Sequence, residues 1–295
     1  MATHYRTTII YKLEMEILFS NNQSYKNTVK HFFEKENPLI NDDMDEIIDT
    51  LDAISKYWLS KNFKMKDIFI NNSLGFIIPW LNKKNSLELL KLNFENYKSL
   101  NGPNLFLKKS SKMFCRPCGT ALHWMAGNVP VISMISLFQG ILTKNKNVIK
   151  VSKTFKVLLP NIFKDLKKNF KKNHKSKKIL NNILNSLLIV YVEHEDELNL
   201  NILSKSSDVR IIWGGEKAVT KIAKLPKKIN CRDIIFGPKV SMAYVSKKKI
   251  GTKENIKKFS DLFVNDVFNF SYFFISFINI LLLYKGFSTF AFLFM

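Results

Sequence analysis

The residues able to do chemistry fall into a few short clusters. Cys115-Arg-Pro-Cys118 places two thiols at the spacing of redox motifs, where a thiol pKa can fall. A redox pair of that kind follows a strand and opens a helix, whereas this one precedes the apolar run Gly119-Thr-Ala-Leu-His123-Trp. A zinc site needs two further ligands, and only His123 and Cys231 offer themselves. Buried or incidental thiols are therefore the favoured reading, and no metal is expected. His123 is read as a hydrogen-bonded structural histidine ahead of a contact in a binding pocket. The second cluster is Gly127-Asn128-Val129-Pro130, in which Asn128 alone is a natural turn former. The third is Asn147-Val-Ile-Lys150-Val-Ser152-Lys153, which ends an apolar run with ammonium and hydroxyl donors. In the fourth, Val209-Arg-Ile-Ile-Trp213-Gly214-Gly215-Glu216, a glycine pair leads into a helix, where backbone N–H groups can approach an anion. Glu216 suits a helix start through the helix dipole.

These clusters need rigid elements to carry them. From Gly119 onward short apolar runs alternate with helical patterns: VISMISLFQGILTK, NVIKVS, SLLIVYVEH, DELNLNILSKS, VRIIWGG, EKAVTKIAKL and DIIF. Such alternation predicts βαβ units around a buried parallel sheet, a doubly wound Rossmann-type domain. Each cluster then falls where a strand gives way to a turn or helix. Between Lys144 and Lys178 the chain is rich in Lys, and FKVLLPNIFKDLKKNFKK reads as an amphipathic helix with a solvated Lys face. Residues 1 to about 100 read as helices and loops. In NDDMDEIIDTLDAISKYWLSKNF the residues Ile47, Leu51, Ile54 and Trp58 recur at helical spacing, with Asn41 or Asp42 as the N-cap. Gly102 and Pro103 mark a break. The expected division is an N-terminal helical region over 1–105, a nucleotide-binding α/β domain over 106–265, and an apolar tail over 266–295.

Taken together, His123-Trp-Met-Ala-Gly127-Asn128-Val-Pro130, Trp213-Gly-Gly-Glu216 and Arg232-Asp-Ile-Ile-Phe-Gly237-Pro-Lys239 resemble the LuxC-type fatty acyl-CoA reductases of the aldehyde-dehydrogenase superfamily. The separation of Asn128 from Lys150 is similar to that between the superfamily's oxyanion-binding Asn and its ribose-binding Lys. The resemblance implies an aldehyde-dehydrogenase-like α/β fold. It makes the Asn128 amide an oxyanion donor, a role that can contribute a few kcal/mol to the transition state. It makes Lys150 a contact of the adenosine ribose, with Ser152 and Lys153 suited to the extra phosphate of NADPH. Gly214 and Gly215 would hold the pyrophosphate, though Glu216 departs from the family's hydroxyl pattern. Acid-forming relatives carry a Glu near the position of Ile235 to activate water, and its loss suits a reductase, for which water would waste the thioester.

The implied reaction is NADPH-dependent reduction of long-chain acyl-CoA to fatty aldehyde through a cysteine thioester. Acyl-transferase or synthetase subunits of a fatty acid reductase complex are the implied partners. The family's nucleophile should follow soon after Phe263-Val-Asn-Asp266-Val-Phe-Asn-Phe270, yet no cysteine occurs between there and Met295. The catalytic domain is therefore expected to be largely missing, and the chain inactive. The tail admits two readings, a membrane anchor or translation after a disrupted frame, and the resemblance favours the second. The alternative function is a non-catalytic nucleotide- or acyl-CoA-binding protein tethered by that tail.

Composition sets the outer bounds. At 295 residues and 46% hydrophobic, the chain can bury a sizeable core. Three cysteines exclude a disulfide framework, and MATHYRTTIIYKLEMEIL lacks a secretory signal, so a cytoplasmic location is expected. A formal charge of +22 invites a nucleic-acid reading, but the cations are mainly Lys amid many Asn, Ile and Phe, as an AT-rich coding sequence yields. No recognition motif accompanies the charge, and no nucleic-acid partner is expected.

Overall fold

The computed structural model describes residues 8–12, 15–19, 22–102, 104–106, 111–113, 115–127, 130–170, 174–237, 254–255 and 257–262. Strands β1 (Thr8–Lys12) and β2 (Met15–Phe19) lead into helices α1 (Asn22–Glu34), α2 (Met44–Leu59), α3 (Lys66–Asn71), α4 (Ile78–Leu81) and α5 (Lys83–Asn93). A short antiparallel pair follows, β3 (Asn104–Phe106) with β4 (Ser111–Met113). Next come β5 (Thr120–Trp124), α6 (Pro130–Leu142), β6 (Lys146–Val151), α7 (Leu158–Asn169), α8 (His174–Asn185) and β7 (Leu187–Tyr191). The succession closes with α9 (Glu197–Ser206), β8 (Val209–Trp213), α10 (Glu216–Ala223) and β9 (Arg232–Phe236).

The main sheet runs β2-β1-β7-β6-β5-β8-β9, and its stretch from β7 to β9 is parallel. The chain starts at the central strand β5, steps outward to β6 and β7, then returns across the sheet to β8 and β9. That reversal makes the edge beside β5 and β8 a topological switch point, where doubly wound sheets leave a crevice. β5, β6 and β7 are buried along their whole length, as strands covered on both faces must be.

Helices α2, α6, α7 and α8 pack on one face of the sheet, and α1, α9 and α10 on the other. The α2 periodicity read from sequence is realised, with Ile47, Leu51, Ile54 and Trp58 all in the core. Its N-cap is Asp43, one or two residues later than the sequence suggested, and accepts from the Asp45 and Glu46 N–H groups. Asp42 is turned inward instead, where its carboxylate accepts from the Asn182 side chain. The lysine-rich run forms α7, whose Leu159, Ile162, Phe163 and Leu166 are buried while Lys167 and Lys168 are exposed.

One element departs from the reading of residues 1 to 100 as helices and loops. β1 and β2 form a hairpin, and β1 pairs antiparallel with β7, extending the sheet. The β-prone runs TIIYK and MEILF are visible in the sequence, but Leu13 and Glu14 between them are not turn formers and give no hairpin signal.

Two buried lysines fasten α1 and the segment leading into α2 to the base of β6. The Lys146 ammonium donates to the carbonyl oxygens of Phe32, Phe33 and Lys35 at 2.7, 2.8 and 2.6 Å, neutralising the exposed end of α1. Lys144 adopts a positive φ of 54° and sends its ammonium to the Ile40 and Asp42 carbonyls and the Asn101 side chain.

Candidate functional site

The C-terminal ends of the parallel strands share one edge, and Lys150, Ser152, Lys153, Gly214 and Gly215 lie along it. Lys150 lies in β6 directly beside Trp124 of β5 and Val190 of β7. Trp124 and Val190 belong to the core beneath α9 and α10, so this register turns Lys150 toward the same face. It is only 4% exposed, and no hydrogen bond to its ammonium is found among the described residues. Burial lowers its pKa to about 8, Glu195 opposing the shift and Lys221 adding to it. A buried cation in this condition is unstable in electrostatic terms and gains from any anion that reaches it.

Ser152 follows at the strand's end, buried, with its hydroxyl unpartnered. Lys153 is exposed. The indole N–H groups of Trp124 and Trp213 are also buried without partners, each at the last residue of its strand. Buried donors left unmade cost on the order of 1–3 kcal/mol each. Their collection along one sheet edge is what a polar ligand would relieve.

Gly214 and Gly215 join β8 to α10. Gly214 donates its N–H to the Phe236 carbonyl at 3.3 Å, and a Cβ there would come within 3.2 Å of the Ala218 Cβ. Gly215 is the N-cap with extended backbone, and no side chain caps the helix start. The first N–H groups of α10 are consequently left for solvent or an anion, while Glu216 stands exposed in the same turn. Asn128 falls outside the described residues. Its flanks are set: Met125 donates its N–H to the Lys150 carbonyl at 3.1 Å, and α6 begins at Pro130.

Behind this edge lie residues that hold it in place. His123 is fully buried, its Nδ1 2.7 Å from the Ser136 hydroxyl and its Nε2 3.0 Å from the Asn147 side-chain oxygen. Burial depresses its pKa to about 4, so it serves as a neutral link between β5, β6 and α6. A Cβ on Gly140 would sit 2.1 Å from that Asn147 oxygen, so α6 reaches this network only because Gly140 has no side chain. The three cysteines are free: Cys115 accepts from the Ser99 hydroxyl at 3.2 Å, Cys118 is exposed, and Cys231 is buried.

Arg210, which the motif reading passed over, is completely buried in β8. It forms a two-pronged pair with Asp233 of β9, both contacts at 2.7 Å, and donates to the Ile222, Ala223 and Leu225 carbonyls. Asp233 is held below its ordinary pKa chiefly by that guanidinium. The C-terminal end of α10 is thereby fixed, which aims its N-terminus at the crevice. His194, Glu195 and Lys221 also border this edge and were not selected from sequence, where one lysine among many gives no signal. Ile235, the position discussed for a water-activating acid, is 47% exposed on β9.

The architecture is that of an α/β protein of aldehyde-dehydrogenase-like fold. The structure aligns with an NAD-dependent aldehyde dehydrogenase from Sinorhizobium meliloti at a TM-score of 0.52 and 9% identity, covering 76% of this chain and 43% of that one. A likeness at that identity speaks for fold. The family model for acyl-CoA reductase (LuxC) matches residues 39–273, and the chain belongs to that family. Among curated relatives, a long-chain acyl-protein thioester reductase of Aliivibrio fischeri is 29% identical over 140 residues, covering 45% of this chain and 26% of the relative. The protein of the same name from Photorhabdus luminescens is 31% identical over 134 residues, covering 44% and 25%. The chain thus spans about a quarter of the length of the curated relatives it matches. Among the described residues no helix is long and apolar enough to cross a membrane, and the tail over 266–295 lies outside them.

Proposed function

We propose that residues 106–265 are the dinucleotide-binding part of a reductase of long-chain acyl thioesters, and that the dinucleotide is NADPH. The observation that carries this reading is the set of donors at one sheet edge: Lys150, buried with no hydrogen bond among the described residues, the unpartnered Ser152 hydroxyl and the uncapped start of α10. In this reading Lys150 holds the adenosine ribose. Ser152 and Lys153 serve its phosphate, and the Gly214-Gly215 turn approaches the pyrophosphate. Asn128 would donate its amide to the acyl oxygen as negative charge develops there. The chemistry that NADPH would supply when held there is hydride donation, by which acyl thioester, NADPH and a proton would give aldehyde, free thiol and NADP.

Long-chain acyl-CoA is the proposed acyl donor, and acyl-transferase or synthetase subunits the proposed partners. The sequence has no cysteine after Cys231, and on this reading the chain binds nucleotide without turning over acyl thioesters. Titration of the full chain with NADPH, followed by the reduced nicotinamide's fluorescence, is expected to saturate. Incubation with long-chain acyl-CoA and NADPH is expected to release no thiol. Failure to bind either NADPH or NADH would sink the nucleotide reading, and thiol release would sink the inactivity.

A further inference from the structure

The β6–β7 side of the crevice carries more positive charge than a ribose contact requires. Lys150 is buried there without a hydrogen-bond partner among the described residues, beside the unpartnered Ser152 hydroxyl. From the facing helix α10, Lys221 extends across and donates to the His194 carbonyl oxygen at 2.8 Å. That exposed contact ties α10 to the loop after β7 and brings a second ammonium close enough for its charge to act on Lys150.

The groups sense one another. Besides its burial, Lys150 responds to Glu195 and to Lys221. The His194 imidazole is held below its ordinary range first by Lys150, then by its burial, with Glu195 opposing and Lys221 adding to the shift. Among the described residues, two ammonium groups thus act on one carboxylate, Glu195, in this cluster, with a neutral imidazole beside them. Lys221 spends one of its three donors on a backbone carbonyl. A monoanion would balance the excess charge, and a phosphomonoester dianion would also use the remaining donors on Lys221, Lys150 and Ser152.

We propose that Lys221 is a specificity-determining residue which, together with Lys150, receives a phosphomonoester dianion carried on the 2′-oxygen of the adenosine ribose of the bound nucleotide. This inference rests on the nucleotide-binding reading above. It assigns the discrimination to α10, in addition to the residues that follow β6.

The test compares NADPH, NADH, 2′,5′-ADP and 5′-AMP by calorimetric titration of the full chain. The variants are Lys221→Met, Lys221→Gln and Lys221→Arg. Lys221→Met and Lys221→Gln are expected to weaken NADPH and 2′,5′-ADP by about tenfold and to alter NADH and 5′-AMP by less than about twofold. Lys221→Arg should keep most of the preference, since it keeps the charge. The glutamine variant retains helix propensity and polarity, and serves should the methionine variant fail to fold. Equal losses for all four ligands, or none for any, overturn the role of Lys221 alone. If the unaltered chain binds none of the four, the nucleotide reading itself falls, and the inference with it.

Discussion

Strand β6 carries buried lysines at both ends, and the two ends differ in how those lysines are used. At its base, Lys146 and the preceding Lys144 are surrounded by carbonyl oxygens that take up their donors. At its top, Lys150 is equally buried, and the described residues offer it no hydrogen bond. The first arrangement is complete and holds the molecule together. Among the described residues the second has no hydrogen-bonded partner, and on the proposed reading a bound nucleotide supplies one. Within one strand, the partners each buried cation finds among the described residues separate the structural lysines from the one proposed to bind nucleotide, where residue type and burial do not.

The largest effect should come from breaking the base. Lys146→Met removes the donor that serves three carbonyls at and just after the end of α1, of which the Phe32 carbonyl is the buried one, at a cost of about 3 kcal/mol of stability. Lys144→Met should cost somewhat less, about 2 kcal/mol, because part of its environment is the Asn101 side chain, which can turn to new partners. Chemical denaturation of both variants checks this. A loss below about 0.5 kcal/mol for either would mean that the base is not the anchor it resembles.

Acidification tests the middle of the sheet. The folded-state pKa of His123 is depressed to about 4 from an ordinary 6.5, so the unfolded chain binds its proton first. Stability contributed by the neutral imidazole is fully present above pH 6.5 and is lost as pH falls toward 4. The loss amounts to at most roughly 3 kcal/mol. His123→Gln should flatten that part of the stability profile. An unchanged slope between pH 6.5 and 4 would place the acid sensitivity elsewhere.

At the top, removing the cation should leave the fold almost undisturbed. Lys150→Met exchanges a buried lysine, without a hydrogen-bond partner among the described residues, for an apolar chain of similar length, and stability should stay within about 1 kcal/mol, shifted upward. Nucleotide affinity should meanwhile drop by at least about tenfold. The unaltered protein should also bind more weakly as pH rises through about 8, because Lys150 loses its charge there and an anion prefers the ammonium. A destabilised Lys150→Met chain that still bound nucleotide would reverse the contrast between the two ends.

The sequence made this contrast only half legible. The βαβ alternation, the strand ends and the Gly214-Gly215 turn follow from apolar periodicity and turn chemistry, which are local, and the parallel sheet carries them. What separates Lys144 and Lys146 from Lys150 is which distant carbonyls reach them, and that is set by packing of α1 and the loop before α2 against β6. No local pattern encodes it, and a chain with 46 basic residues hides buried lysines among solvated ones. Arg210 was obscured for the same reason: its partners lie on α9, α10 and β9, and only the assembled sheet brings them together. Asn128 stays a sequence expectation, since it lies outside the described residues.

The smallest predicted effect belongs to Ser152. Its hydroxyl is buried and unpartnered, so Ser152→Ala deletes a group that gains nothing in the free protein. Stability should change by no more than a few tenths of a kcal/mol, in the stabilising direction. Binding should weaken by about three- to tenfold for NADPH, the size of one neutral hydrogen bond to a charged ligand, and hardly at all for NADH. Calorimetry on the same four ligands used for Lys221 resolves this. An equal loss for NADH and NADPH would move Ser152 from the ribose phosphate to a part of the nucleotide that both share, and would leave Lys150 and Lys221 as the phosphate-reading pair.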